Sequence, residues 1–347
     1  MVCLLLVWKE RVLNVPSFFL YICRMINSVR NTVLSVLNKN NYGYISPSDF
    51  NLYAKQAQME LFEEYFSNYN KDVNMENARM SGSDYADISK ALREVLEGFL
   101  VSEFLIPSPT PSGNIINRYY YPSLTTTGND CYMVENIVCY TSMVAIGATT
   151  GVAAFNLIDA TANFSTSTIK PGDIVVNIVT NVSTTVEAVQ TPTTLALNDD
   201  IFTAPGEDYR IYSASVYAEA EKTSPAKINL LNNSLLTSPS SYFPMYELTG
   251  SNVTFYPTTI SGYGSVKASY FRYPKDPKWT YVSLLNGEPS FDQSQLDYQD
   301  FEMPLEDEFK LAMKILQYCG ISIRESEVQA FAKEQEQHEQ PSFSQQI

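Results

Sequence analysis

The sequence predicts an α+β fold: N-terminal and C-terminal helices form one helical module, and a large antiparallel β region is inserted between them. Apolar residues recur at helical spacing from Met25 to Phe99. After the proline-rich run at 107–113 the pattern changes to short β-branched and aromatic segments. Helical spacing returns after Asp300. The predicted insertion includes a small barrel or sandwich, because its strands are short and turns recur about every ten residues.

These changes of pattern define the expected organisation of the chain. The predicted segments are a non-native or disordered extension (1–24), an N-terminal helical part (25–106), a linker with the first strands (107–153), a small inserted β domain (154–213), a second β segment and return (214–299), a C-terminal helical hairpin (300–337) and a tail (338–347).

Residues 1–24 differ from the rest of the chain. The apolar run from Val2 to Trp8 is broken by Lys9, so it falls short of the roughly 20 residues that span a bilayer. No basic residue precedes Val2, as a signal peptide would need. We interpret the segment as an upstream extension from a mis-chosen start codon. An amphipathic tail and a membrane anchor are the alternatives.

Three helices are expected before residue 107, each with one apolar face. In the second, Ser46 is the expected cap and Pro47 the first helical residue. The third begins near Ser83. The predicted buried faces are Val29, Val33, Val36 and Leu37 in the first helix; Phe50, Ala54, Ala57, Leu61 and Tyr65 in the second; and Ile88, Leu92, Val95 and Phe99 in the third. The prolines at 107–113 mark the predicted boundary, since proline lacks a backbone donor.

The β region is predicted from aromatic and β-branched runs between turn residues. Pro171-Gly172-Asp173 is an expected turn, and Gly262-Tyr263-Gly264 an expected hairpin turn. The predicted strands are Arg118–Tyr121, Tyr132–Val138, Ile174–Val179, Thr184–Val189, Thr194–Leu197, Asp208–Tyr212, Met245–Leu248, Val253–Tyr256 and Ser265–Tyr273.

The C-terminal stretch is predicted to be two helices around a glycine. Pro304 suits a first helical turn, and the acidic residues that follow it favour a helix N-terminus. Gly320 is expected to end the first helix and Ser322 to cap the second. The predicted apolar faces are Leu305, Phe309, Ala312 and Leu316 in the first helix, and Val328, Phe331 and Ala332 in the second.

Composition favours an interface-rich folded protein over a nucleic-acid binder. Hydrophobic residues make up 45% of the chain and charged residues 18%, with 24 tyrosines and 18 phenylalanines. The net charge is −15, which argues against binding of DNA or RNA through basic patches. Thirteen Asp and Glu residues lie from Asn286 onward against four Lys and Arg. Five cysteines without a CxxC pair fit a reducing compartment.

The residues that catalysis usually requires are scarce, so no enzyme, catalytic residue, metal or cofactor is expected. His338 is the one histidine, so a Ser-His-Asp or Cys-His arrangement would depend on it alone. No His/Cys cluster has metal-ligand spacing. A pair of carboxylates at the separation that glycosidases use stays possible in an acidic chain. Asp199-Asp200 is the most visible pair, although a turn between strands explains it better.

Several stretches resemble ring-type head–tail connector (adaptor) proteins of short-tailed bacteriophages, the crAss-like phages in particular. The matching stretches are MINSVRNTVLSVLNKNNYGYISPSDFNLYAKQAQ from Met25, YPKDPKWTY from Tyr273 and DFEMPLEDEFKLAMKILQYCGISIRESEV from Asp300. The stretch IKPGDIVVNIVTNVSTTVEAV from Ile169 resembles a small β insertion that recurs in phage virion proteins. The family's fold is a helical bundle with an inserted β domain, and its C-terminal helices dock on the portal ring.

The resemblance implies a non-enzymatic virion protein, assembled in the host cytoplasm, that joins the portal to the tail. Its partners would be further copies in a ring of about a dozen, the portal, other ring or tail proteins and passing DNA without specific binding, and no membrane. Phe309, Leu316 and Phe331 are the expected docking residues, and Glu306, Asp307 and Glu308 the expected channel-lining acids.

Three other functions stay open from the residues alone. The first is a tail or receptor-binding protein that contacts host glycans through the Tyr-rich β domain. The second is a secreted or cell-surface protein, which the Asn-x-Ser/Thr triplets from Asn163, Asn181, Asn232 and Asn252 allow. The third is a glycosidase.

Overall fold

The computed structural model describes residues 25–38, 45–79, 87–109, 115–165, 168–285 and 287–323. They form two compact units. The helical unit comprises the described residues before Phe99 and after Tyr273, and the β unit is Phe99–Tyr273. The predicted α+β fold with an inserted β region is therefore confirmed. The predicted extension, the second C-terminal helix with Phe331, and the tail lie outside the described residues.

Most helices belong to the helical unit, where α5 packs against both α1 and α2. A 3₁₀ helix, Leu305–Asp307, leads directly into α5. The helices are α1 (Met25–Leu37), α2 (Pro47–Arg79), α3 (Asp87–Glu97), α4 (Pro225–Asn232) and α5 (Glu308–Ile323).

The start of α2 is as predicted. Ser46 Oγ accepts a hydrogen bond from the Asp49 amide at 3.1 Å, which satisfies one of the free donors of the first turn. The predicted apolar face is mostly buried: Phe50, Ala54, Ala57 and Leu61 lie in the core.

The change from helix to strand comes earlier than predicted. Helix α3 ends at Glu97, and Gly98 closes it by donating to the Val95 carbonyl at 3.2 Å. Phe99 belongs to the β unit, one strand precedes the proline-rich run and a second begins within it, so 107 is not the boundary. A proline can occupy an edge strand, and Pro107 and Pro109 lie in the edge strand of a five-stranded sheet.

The predicted helix end at Gly320 is wrong. Helix α5 continues through Gly320 to Ile323, and Ser322 lies within it rather than capping a second helix. An internal glycine costs only about 1 kcal/mol relative to alanine. Gly320 is buried, and tertiary packing of α5 offsets that cost.

A packed cluster joins distant stretches of the helical unit. Asp300 accepts from the amides of Met25 at 3.0 Å and Ile26 at 2.8 Å, and so caps the start of α1. The Trp279 indole donates to Asn27 Oδ1 at 3.1 Å, and the Arg30 guanidinium lies 3.8 Å from the Trp279 ring centroid.

The described residues of the β unit form sixteen strands in three sheets, and a two-stranded hairpin lies in the helical unit. The strands are β1 (Leu100–Phe104), β2 (Pro107–Pro109), β3 (Ile115–Tyr120), β4 (Cys131–Tyr140), β5 (Met143–Ala148), β6 (Gly151–Ala153), β7 (Asn156–Ile158), β8 (Ile174–Asn177), β9 (Val182–Thr191), β10 (Thr194–Leu197), β11 (Asp208–Tyr212), β12 (Tyr217–Glu219), β13 (Glu221–Thr223), β14 (Met245–Thr249), β15 (Asn252–Tyr256), β16 (Val266–Arg272), β17 (Tyr281–Ser283) and β18 (Pro289–Phe291).

Two of the sheets form a sandwich. The four-stranded sheet has the order β1-β16-β4-β12 and the five-stranded sheet β13-β14-β15-β3-β2. Inward-facing residues of both sheets share one core, with Ile137 and Tyr270 from the first and Tyr119 and Phe255 from the second. Burial alternates along β15, as expected for a strand with one face against a core.

The third sheet is an open seven-stranded sheet with the order β5-β11-β8-β9-β10-β7-β6, not a closed barrel. Its strands surround one core that includes Leu157, Val175 and Ile211. It is inserted between β4 and β12: β5 continues from β4, and β11 leads back to β12. The predicted domain start at 154 therefore falls inside this sheet, which begins at Met143.

The Gly262-Tyr263-Gly264 turn is not a hairpin turn as predicted, because it connects β15 and β16, which lie in different sheets. Both glycines have positive φ, at 90° and 85°. A Cβ on Gly264 would overlap Val176 of the seven-stranded sheet. The turn thus needs glycine for its conformation and for close approach to β8.

Candidate assembly surfaces

An exposed apolar surface lies in the connection from β13 to β14. These strands pair in parallel, so a crossover must join them. It contains α4, which begins with Pro225 after the cap Ser224, whose side chain accepts from the Lys227 amide at 3.3 Å. We call residues 228–246 the uncharged projection, because no charged residue lies between Lys227 and Glu247.

Five large apolar side chains of the uncharged projection face solvent. Leu235 and Leu236 have relative accessibilities of 102% and 94%, and the other three are also well exposed: Leu230, Tyr242 and Phe243. Hydrogen bonds within the segment hold its backbone, among them Thr237 Oγ1 to the Leu231 carbonyl at 3.0 Å. Apolar clusters of this kind on a folded chain indicate a protein-interaction surface.

Sequence reasoning missed the uncharged projection. The sequence prediction assigns 214–299 to a second β segment and return and does not include the helix that begins at Ser224-Pro225. That capping pair, followed by a long run without charge, is the signal that would have indicated a helix and an exposed loop.

The structure separates the predicted docking residues. Phe309 is 50% exposed and Leu305, one turn earlier, 59%. Leu316 is 1% exposed, so its side chain packs in the helical core. A surface role for Leu316 is therefore not compatible with this placement, and the docking role of Phe309 remains a prediction.

The predicted channel acids are also separated. Glu306 is exposed and Glu308 half-buried, whereas Asp307 is 2% exposed. Asp307 accepts a hydrogen bond from the Tyr65 hydroxyl and forms an ion pair with Lys310 Nζ at 3.3 Å. Burial, together with the Asp307 charge, raises the pKa of Tyr65. Asp307 thus links α2 to the start of α5, and of the three acids only Glu306 is exposed while Glu308 is partly accessible.

A second apolar surface is the β17–β18 hairpin of the helical unit. Trp279 stacks with both Tyr281 and Phe291, and its ring centroid lies 5.6 Å from that of Tyr281 and 5.9 Å from that of Phe291. Beyond this stack, Leu284 and Leu285 at the turn are exposed. The hairpin therefore has a fixed base and an apolar tip.

A groove of about 410 Å³ lies in the β unit, lined by β1, β16 and the β8–β9 turn. Its charged lining residues are Glu103 and Lys267. Burial raises the pKa of Glu103, although a hydrogen bond from the Tyr270 hydroxyl at 3.2 Å opposes the shift. The lining described by the structure holds one carboxylate, whereas two-carboxylate glycoside hydrolysis requires a pair.

The described residues contain neither a candidate metal-binding cluster nor a candidate membrane-spanning helix. No group of three or more His, Cys, Asp or Glu side chains among them is arranged to hold a metal ion. No helix within these residues has both the length and the apolar character of a membrane span.

Comparison with known proteins adds no assignment. No known protein-family profile matches the chain, and no curated protein matches it.

Proposed function

We propose that this protein is a non-enzymatic virion component, one subunit of an oligomeric ring that joins the portal to the tail of a short-tailed phage and forms part of the DNA channel. The observation that carries the proposal is the uncharged projection. Five exposed large apolar side chains in a segment held by its own hydrogen bonds are typical of a subunit that buries them against another chain.

The packing of the helical unit supports the resemblance to connector proteins. The stretches that carry the resemblance begin at Met25, Tyr273 and Asp300 and are separate in sequence. In the structure Asp300 caps α1, and Trp279 bonds to Asn27 and packs on Arg30. Three of the stretches that carry the resemblance thus form one packed element.

The charge of the chain is compatible with a DNA channel. A net charge of −15 repels phosphate, so a wall built from such subunits does not retain DNA. Glu306 and Glu308 are the accessible acids of the predicted channel set. If replacing both with lysine leaves DNA ejection unchanged, their channel role is refuted.

Portal docking through α5 is tested with a point variant. Removing all residues after Asp300 would also remove α5 from its contacts with α1 and α2, so loss of binding would be ambiguous. Phe309→Glu changes a half-exposed side chain and should leave the fold intact. We expect weaker portal binding, and unchanged binding would place the docking surface elsewhere.

The deciding measurement for the function is the mass of the chain in solution, alone and mixed with the cognate portal. A ring of about a dozen copies that forms on the portal supports the connector proposal. A compact trimer that ignores the portal would contradict it and favour a receptor-binding tail protein.

A further inference from the structure

A second uncharged surface lies on the seven-stranded sheet. No charged residue occurs between Glu135 and Asp159, the run that contains β5, β6 and β7. Within it, Met143 and Ile146 of β5 are more than half exposed. Among the described strands, β5 pairs only with β11, so its other edge is open. We call Met143–Ala148 the apolar edge.

An open apolar edge is unusual in a protein that works alone. Natural edge strands are protected by charged residues, prolines or bulges that prevent pairing with other chains. The pairing of the apolar edge with β11 has a bulge at Val144, but the strand has no charged residue and no proline, and two of its apolar side chains face solvent. These exposed side chains are available for contact with another chain.

The two surfaces are separate parts of the β unit. The uncharged projection belongs to the connection between β13 and β14 in the five-stranded sheet, and the apolar edge ends the seven-stranded sheet. A contact between two different patches on identical chains is heterologous, and such contacts generate rings when the rotation closes.

Charge indicates which partner covers them. Copies that each have a net charge of −15 repel one another, so close contact between them is favoured where charges are few. Neither segment has a charged residue of its own, and beside the apolar edge β11 places one charge of each sign, Arg210 opposite Ile146 and Asp208 opposite Ala148. A second copy of the chain therefore fits better than a partner of opposite charge.

We propose that the uncharged projection of one copy packs against the apolar edge of the next copy around the ring. The inference rests on the proposed ring function and specifies its subunit contact. In this contact, Leu235 and Leu236 of one copy pack against Met143 and Ile146 of the next copy.

Cysteine cross-linking tests this contact in the full chain. One variant carries Leu236→Cys, a second Ile146→Cys and a third both. Background reaction is low, because burial raises the pKa of the Cys139 and Cys319 thiols to about 12 and also raises the pKa of the half-buried Cys131 thiol, and only thiolates react rapidly with maleimides. Cys3 and Cys23, outside the described residues, are replaced by serine in every variant.

Rings assembled on the portal are treated with a short bismaleimide and separated under denaturing conditions. The two single variants should cross-link only when mixed, and the double variant should give a ladder that ends at the ring's copy number. The control Leu296→Cys, at a position 107% exposed in the helical unit, should not cross-link to Ile146→Cys.

The outcomes separate the contact from the function. If rings form but neither the mixture nor the double variant cross-links above the unsubstituted background, the contact is wrong and the ring function stands. Dimers of the Leu236→Cys variant alone would show a symmetric contact and overturn the inference. If no ring forms with or without the portal, the proposed function fails and the contact with it.

Discussion

Replacing Leu236 with serine should weaken ring assembly, and the size of the effect follows from its exposure. The side chain is nearly fully exposed in the single chain, so all of its apolar area is available for burial in the assembly. Complete burial of a leucine contributes about 1.5–3 kcal/mol. Since about 1.4 kcal/mol changes an equilibrium constant tenfold, subunit association should weaken roughly 10- to 100-fold.

The assay is sedimentation velocity or mass photometry over a range of protein concentrations, with and without the portal. Leu296→Ser is the matched control, because Leu296 is equally exposed but lies between Asp292 and Asp297, where an uncharged contact is not expected. The control should assemble like the unsubstituted chain.

Thermal unfolding of the unassembled chain checks that the substitution acts on association alone. Substitutions at exposed positions usually change stability by less than about 0.5 kcal/mol, so both variants should have the same melting temperature as the unsubstituted chain. Assembly of Leu236→Ser that equals the parent, or a loss that Leu296→Ser shares, would refute the role of the uncharged projection.

Three further predictions concern the fold that presents these surfaces. Asp300→Ala removes the acceptor of two buried amides at the start of α1, so the free energy of unfolding measured in urea should fall by about 2–4 kcal/mol. Asp300→Asn keeps one acceptor oxygen and should lose less. Equal stability of the parent and both variants would contradict the capping role of Asp300. Gly264→Ala should destabilise the protein more than Gly250→Ala does. Both glycines have positive φ, but of the two only Gly264 would bring a Cβ into overlap with a neighbouring residue. Equal melting temperatures of the two variants would show that the backbone strain at positive φ alone matters. Burial raises the pKa of Glu103 above its unfolded value of about 4.3, so ionisation of Glu103 opposes folding. The resulting loss of stability is absent below the unfolded pKa and grows as the pH rises through the folded pKa. Glu103→Gln should therefore be more stable than the parent at pH 7, with an advantage that shrinks toward pH 4 in melting experiments, and a pH-independent difference would contradict the assigned cause.

Local features of the helices could be predicted from the sequence because their causes lie within a few residues. The cap at Ser46 and the buried face of α2 depend on spacing along one helix. The strands Thr194–Leu197 and Asp208–Tyr212 were predicted with their observed bounds, since turn residues flank short apolar runs.

The candidate surfaces were harder to predict, because exposure depends on what the rest of the chain covers. Leu316 and Phe309 lie on one predicted helical face, yet only Leu316 is buried. Likewise the sequence placed Glu306, Asp307 and Glu308 in one acidic turn, but Tyr65 and Lys310 bind Asp307 in the interior. Gly320 shows the same limit for helix ends, since packing of α5 overrides a local stop signal.

By itself the sequence determined the α+β class, the succession of helical, β and helical regions, and an acidic chain with few charges, because periodicity and composition are local properties. Only the tertiary structure decided that 143–212 forms one open sheet, that a glycine turn packs on β8, and that the uncharged projection is exposed. The physical reason is that burial depends on contacts between segments that are distant in sequence. The sequence of a hydrophobic segment is the same whether the fold buries that segment or leaves it exposed.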